Sequence, residues 1–229
     1  FRYYYDESAT DALPVYGLPP GLGGDDALTQ AETRAVIDEY ERIFAVLWGT
    51  DERDPRQIVE GTLDREAFQA SSQWYGGVRL VRYATPPAEW AVEDETNARF
   101  GPASSGATIT LERYALSARE VQPGDVLRLR LEWSADSPLE LPYKVFVQLI
   151  GPDGVLAAQR DSEPASGRAP MTGWQPGDVI QDPHGLIVPN DLPLSHYTLI
   201  VGLYNPYNPD ERLPVHDSDH LNLGSITVR

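Results

Sequence analysis

The chain has 229 residues, with 35 Asp and Glu against 18 Lys and Arg, a formal net charge of −17, 41% hydrophobic and 23% charged residues. That length and apolar content suit a folded chain with a sizeable core, and the acidic excess repels nucleic acid phosphates and anionic headgroups, so neither is expected as a partner. There is no cysteine, which excludes disulfide and thiolate chemistry, and no run approaches the ~20 apolar residues that span a bilayer.

The chain opens FRYYYDES, with neither the basic start nor the apolar stretch of a signal peptide, and is expected to be a piece of something longer. Leu13 to Leu18, LPVYGL, closed by Pro19, Pro20 and Gly21, reads as a strand ending in a loop. After a Gly/Asp-rich loop, Thr29 with Glu32 three residues on forms a capping box for a helix whose apolar face is Ala35, Val36, Ile37 and Tyr40. Ile43 to Trp48, IFAVLW, is a continuous apolar run of the kind buried on both faces of a sheet. Helix and strand together read as half of a Rossmann-like unit. The loop GTDERDP follows, and Ile58 to Phe68 reads as a second helix with Ile58, Leu63 and Phe68 inward and Asp64, Arg65 and Glu66 outward. Gln69 to Tyr83 is a hairpin or bulged strand about Gly76 and Gly77.

Residues 89–106, rich in Pro, Glu, Asn, Ser and Gly, read as a linker between a small α/β unit of residues 1–88, incomplete at its N-terminus, and an all-β part of residues 107–229. In that second part Ile109 to Leu116 is a strand, and Val121 to Ala135, VQPGDVLRLRLEWSA, holds a turn and a strand in one piece. Pro123 and Gly124 suit a type II turn, because proline presets φ and glycine accepts φ > 0. Beyond it Leu127, Leu129, Leu131 and Trp133 point one way and Arg128, Arg130 and Glu132 the other, the mark of a half-buried antiparallel strand. The same QPGDV recurs at Gln175 to Val179. Tyr143 to Ile150 and Val155 to Arg160 pair as a hairpin through Pro152, Asp153 and Gly154; Tyr197 to Tyr204 is a central strand, and Leu221 to Arg229 closes the sheet. The fold class is therefore α+β: a small Rossmann-like α/β unit followed by an immunoglobulin-like antiparallel β-sandwich.

Candidate sites are sparse. Asp51, Glu52 and Asp54 lie in the loop after the IFAVLW strand, where open α/β sheets place ligands, but no glycine-rich phosphate fingerprint accompanies them and a solvated loop is the favoured reading. His216, Asp217, Ser218, Asp219 and His220 alternate nitrogen and oxygen donors, yet they sit between strands and read as a turn with incidental histidines rather than a metal site. Trp174, Tyr204 and Tyr207 are the candidate sugar-stacking surface, whereas Trp133 and Tyr197 fall on the apolar faces of their strands and read as core. No Ser-His-Asp order, Cys-His pair or HExxH occurs, so no catalytic residue, metal or cofactor is assigned.

The phrases LPVYGL, YERIFAVLWGTDERDP, VEGTLDREAFQASSQWYGGVRLVRYATPP, LSAREVQPGDVLRLRLEW, YKVFVQLIGPDGVLAAQRDSEP, WQPGDVIQDPHGLIVP and YTLIVGLYNP resemble the carboxyl-terminal, extracytoplasmic part of bacterial (Chloroflexi-type) multi-pass membrane glycosyltransferases of family 39, the protein mannosyltransferase-like kind. In that family the acidic catalytic residues lie in loops between amino-terminal membrane helices and the donor is a polyprenyl-phosphate-linked sugar. The resemblance thus carries over no catalytic residue. It implies a non-catalytic accessory domain on the extracytoplasmic face of the cell membrane, whose partners are a glycan or the membrane-embedded part of the same polypeptide. A freestanding carbohydrate-binding module and a structural interaction domain are the alternatives.

Overall fold

The computed structural model describes residues 13–21 and 24–229; the opening FRYYYDES and part of the Gly/Asp-rich loop lie outside the described residues. Leu13 to Leu18, expected as a strand, runs as irregular chain with no strand beside it among the described residues. It is held instead by Tyr16, whose hydroxyl lies 2.7 Å from that of Tyr40.

Helix α1 spans Asp26–Glu39. Its cap is Asp25, whose Oδ1 accepts the Leu28 N–H at 2.9 Å, and not Thr29. A carboxylate before the first turn satisfies an otherwise unpaired N–H and favours the positive end of the helix dipole, which moves the start four residues earlier than the capping-box pattern. Thr29 and Thr33 turn their hydroxyls back onto the carbonyls of Asp25 and Thr29 at 2.8 Å and share the buried face with Ile37. Strand β1 is Arg42–Leu47, α2 the single turn Thr50–Arg53, α3 Ile58–Glu66, β2 Phe68–Tyr75 and β3 Val78–Ala84.

These strands form a three-stranded sheet in the order β1-β3-β2, antiparallel throughout. The Rossmann-like reading is thereby corrected: the β2–β3 hairpin places β3 in the centre, and β1 joins its far side in the opposite direction. β1 is also not buried on both faces. Ile43, Ala45 and Leu47 pack with Ile37, Leu63, Val81 and Tyr83 beneath the helices, whereas Phe44, Val46 and Trp48 are 55%, 50% and 67% exposed. Helices cover one side of this sheet only, so half of the apolar run faces outward.

The remaining strands are β4 Val92–Phe100, β5 Ile109–Leu116, β6 Glu120–Val121, β7 Val126–Ala135, β8 Lys144–Ile150, β9 Leu156–Ser162, β10 Ile180–Ile187, β11 Ser195–Asn205, β12 Asn208–Arg212 and β13 Leu221–Val228. They make a β-sandwich of one sheet ordered β10-β7-β5-β4 and another ordered β6-β13-β11-β8-β9, with β12 on β11. Every pair is antiparallel except β6 with β13. Residues 92–100, expected within a linker, are the edge strand β4 paired to β5. The polar composition of that stretch belongs to a strand with one solvated face. β7 alternates as its residues require, with Leu127, Leu129, Leu131, Trp133 and Ala135 in the core between the sheets.

Both QPGDV segments form the same turn. Asp125 N–H reaches Gln122 O at 3.1 Å and Asp178 N–H reaches Gln175 O at 3.0 Å, with Gly124 and Gly177 at φ +88 and +94. In each, the Asp carboxylate accepts the N–H of the first turn residue, at 2.8 and 2.9 Å. These are type II turns closed a second time by a side chain.

The small sheet abuts the sandwich where β2 lies against β10. A Cβ built on Gly185 would stand 3.0 Å from Ala70 Cβ and 3.0 Å from Phe68 O, so any side chain here would push β2 back by a few tenths of an ångström. Gly185→Val is expected to cost about 1–3 kcal/mol by overpacking, measured as a lowered urea midpoint. A value within error of the wild type would show that the two units part at no cost.

Candidate functional site

The most chemically rich cluster lies in the seam between the α/β unit and the sandwich. The alternation that turns Ile180 and Leu186 of β10 toward the core carries Asp182 and His184 with them, and both are fully buried. A carboxylate there is tolerable only when its oxygens are hydrogen-bonded. Asp182 Oδ2 accepts from Trp133 Nε1 at 3.1 Å and from His184 Nε2 at 2.7 Å, and Oδ1 accepts the Ala165 N–H at 2.8 Å. Since a carboxylate only accepts, His184 carries its hydrogen on Nε2; its Nδ1 is buried with no partner. Ala165 belongs to the 3₁₀ turn Pro164–Gly167, where Ala165 and Ser166 sit at φ 52 and 56. Asp182 thus pins a left-handed segment that two non-glycine residues adopt only at a cost.

Arg168, just after that turn, continues the network. Its Nε donates to Asp64 Oδ2 at 2.6 Å. Asp64, expected on the outer face of α3, is 3% exposed and also accepts from Tyr83 Oη at 2.7 Å and Gln69 Nε2 at 3.3 Å. Burial raises the Tyr83 phenol well above its usual value, and the Asp64 carboxylate adds to the effect. From β9, Arg160 donates to Gln69 Oε1; burial lowers its guanidinium from the usual value, opposed by the nearby carboxylates of Asp182 and Asp64. Every carboxylate oxygen of Asp64 and Asp182 is therefore engaged by the protein's own donors. The cluster fastens α3, β2, β3, β7, β9 and β10 together.

Of the sequence candidates, Asp51 and Glu52 are exposed on α2, and Asp54 caps α3, its two oxygens accepting the N–H groups of Ile58 and Val59 at 2.8 and 2.9 Å. Their loop does not follow a parallel strand, which removes the reason for expecting a ligand there. Glu52 and Asp54 line a surface depression of about 220 Å³ with Asp26, Arg53 and Arg56. A second depression of about 150 Å³, on the outer face of β4, β5 and β7, is crossed by ion pairs of Arg113 with Glu95 (2.7 Å) and Glu132 (3.3 Å) and of Arg130 with Glu93 (3.4 Å).

The three aromatics expected to share a surface do not. Trp174 is 2% exposed, packed in the sandwich core with its Nε1 donating to Ala169 O at 2.9 Å, so the stacking role assigned to it is corrected to a core role. Tyr204 is half-buried beside Phe146, ring centroids 6.4 Å apart. Tyr207, in the β11–β12 turn, is 76% exposed. Trp133 and Tyr197 are buried as read, the latter donating to Pro193 O at 2.8 Å. His216 to His220 form a turn closed by Val215 and Ser218, in which His220 Nδ1 lies 2.6 Å from Asp219. Among the described residues no group of three His, Asp or Glu is arranged to hold a metal.

No family model matches the chain, and no curated protein matches it. Among solved structures it is similar to the C-terminal domain of wzt, at 17% identity and TM-score 0.42, over 63% of this chain and 82% of that one. It is also similar to a Niemann-Pick type C2 protein from Japanese carpenter ant, at 6% identity and TM-score 0.33, over 62% and 98%. At these identities and scores nothing about binding passes from either protein to this chain.

Two outcomes test the network. Asp182→Ala strands three buried donors and is expected to lower unfolding stability by roughly 3–5 kcal/mol; a loss below about 1 kcal/mol in urea unfolding would mean the donors find other partners. Burial raises the Asp161 carboxyl, opposed by the Tyr204 hydroxyl and then by Lys144 and Arg212. The folded carboxyl holds its proton more tightly than the unfolded one, so its contribution to stability is complete below the ordinary Asp range of about 3.9 and is lost as pH rises through the folded value. Tyr204→Phe should move the Asp161 midpoint further up in a carbon-13 NMR titration, and a downward move would remove the hydroxyl as the carboxylate's partner.

Proposed function

We propose that this chain is a non-catalytic accessory domain of a membrane glycosyltransferase, standing on the extracytoplasmic face of the bacterial cell membrane and positioning glycan or acceptor for a polyprenyl-phosphate-sugar-dependent centre elsewhere in the polypeptide. The resemblance of its phrases to the soluble ends of family 39 enzymes supplies the context. The observation that carries the non-catalytic reading is the use of its buried carboxylates: Asp54 caps a helix, and Asp64 and Asp182 are saturated by Tyr83, Gln69, Arg168, Trp133, His184 and Ala165. A general acid or base needs a titrating oxygen within reach of a substrate proton, and these oxygens face the protein. Among the described residues no helix is long and apolar enough to cross a membrane, so anchoring in this reading belongs to another part of the polypeptide.

A second reading, a carbohydrate-binding module, draws on Tyr207 alone, the one sequence candidate with an open ring face. A glycan array of this chain with Tyr207→Ala tests it: binding by the wild type that the variant loses places glycan recognition on Tyr207, and a blank array with the folded chain removes the freestanding module.

An antibody against this chain is expected to find, in membranes of the source cells, a polypeptide far larger than 25.4 kDa, reachable by an impermeant label from outside. A free band of that size in the cytoplasm would overturn the proposal.

A further inference from the structure

The edge of a sheet presents unpaired backbone N–H and C=O groups, and proteins blunt such edges with charge, proline, bulges, brevity or a covering segment. Most edges of this fold are treated so. β4 carries Glu93, Asp94 and Glu95 and breaks register between Glu95 and Ala98. β10 contains Pro183 and lies against β2, and β2 itself breaks register between Gln69 and Ser71. β6 is two residues long. β9 carries Arg160 and Asp161 beside the Pro164–Gly167 turn, and β12 carries Pro209, Asp210 and Glu211.

β1 is treated otherwise. Its sequence RIFAVL has no acid, lysine, proline or bulge, and among the described residues it pairs only with β3. Its outer side chains Phe44 and Val46 stand beside Arg82 and Leu80 of β3, which in turn stand beside Ser71 and Gln73 of β2. That face bears no carboxylate, in a chain of net charge −17.

We infer that β1 is the surface through which two copies of this chain associate, edge to edge and antiparallel about a twofold axis, joining two three-stranded sheets into one of six. The strand is complementary to itself. With Ala45 opposite Ala45 of the second copy, Phe44 meets the copy's Val46 and Arg42 meets its Trp48, so the strand's one charge faces an indole instead of a second cation. The same pairing already occurs within this sheet, where Arg82 lies 5.7 Å from the Phe44 ring centroid and Arg79 lies 5.5 Å from that of Trp74. Arg42's present partner, Asp125 at 3.2 Å, is a solvent-exposed ion pair that is readily given up. A lipid surface would cover the apolar side chains but leave the edge's N–H and C=O groups unsatisfied, whereas a second strand pairs them. An isologous strand contact belongs to the small interface class, so the dimer is concentration-dependent.

This inference is independent of the proposed function, and its test reads association alone. Sedimentation equilibrium of the chain from about 5 to about 500 μM is expected to show the mass moving from one copy to two, and Val46→Lys, an edge lysine of the kind folded sheets tolerate, to hold it at one. Circular dichroism and thermal unfolding establish that the variant is folded. Because the chain has no cysteine, a mixture of Phe44→Cys and Val46→Cys chains reports the register: oxidation should cross-link the mixture well above either variant by itself. A wild type that stays single throughout overturns the inference, as does a dimer indifferent to Val46→Lys or cross-linking of the mixture no greater than that of its components. A single-copy wild type that sediments with phosphatidylcholine vesicles would also overturn it and assign the face to lipid.

Discussion

A carboxylate inside a β-sandwich must be met by donors on every side, and Asp182 draws them from three parts of the chain: Trp133 of β7, His184 of its own strand and the backbone of Ala165. The last bond fixes the Pro164–Gly167 turn in its left-handed course, and the turn delivers Arg168 to Asp64 on α3. One hold of the small unit on the sandwich therefore runs back, bond by bond, to one side chain in the core between the two sheets, beside the Arg160–Gln69 bond and the packing of β2 on Gly185. Low dielectric makes each of those bonds strong and each missing partner costly.

The small unit shows how one apolar run fits two architectures. Ile43 to Trp48 has the residues of a strand covered on both faces, and with a helix before it a parallel sheet is the natural extension. What decides is the number of layers above and below. Only α1 and α3 pack on this sheet, on one side, and the β2–β3 hairpin takes the central position before any crossover is needed. Neither fact is encoded within the six residues.

Local features were legible for the same reason. The QPGDV turns, the alternation of β7 and the β8–β9 hairpin depend on neighbours a few residues away, and they stand where the residues place them. Asp182 and His184 could have been found by extending the period of β10 between Ile180 and Leu186, since the pattern leaves them nowhere but inward. Asp64 could not: its partner Arg168 lies 104 residues along the chain, and helix periodicity alone places it outside. Trp174 is similar, being a loop residue by its neighbours and a core residue only because the 3₁₀ turn Met171–Gly173 folds it under.

The duplicated turn has a mechanical meaning. β7 and β10 are antiparallel neighbours, paired from Val126 with Ile187 to Trp133 with Ile180, and each begins at its own QPGDV turn, so the turns stand at opposite ends of the ladder. The first is also bonded to the far end of β10, Gly124 N–H to Val188 O at 2.8 Å and Val188 N–H to Asp125 O at 2.9 Å. A slip of β10 by one residue would turn Asp182 and His184 out of the core and leave Trp133 Nε1 without its acceptor, and it would have to break a doubly closed turn to begin. The pair behaves as a slider with a stop at each end, and the buried carboxylate keeps its donors because the strands beneath it have nowhere to travel.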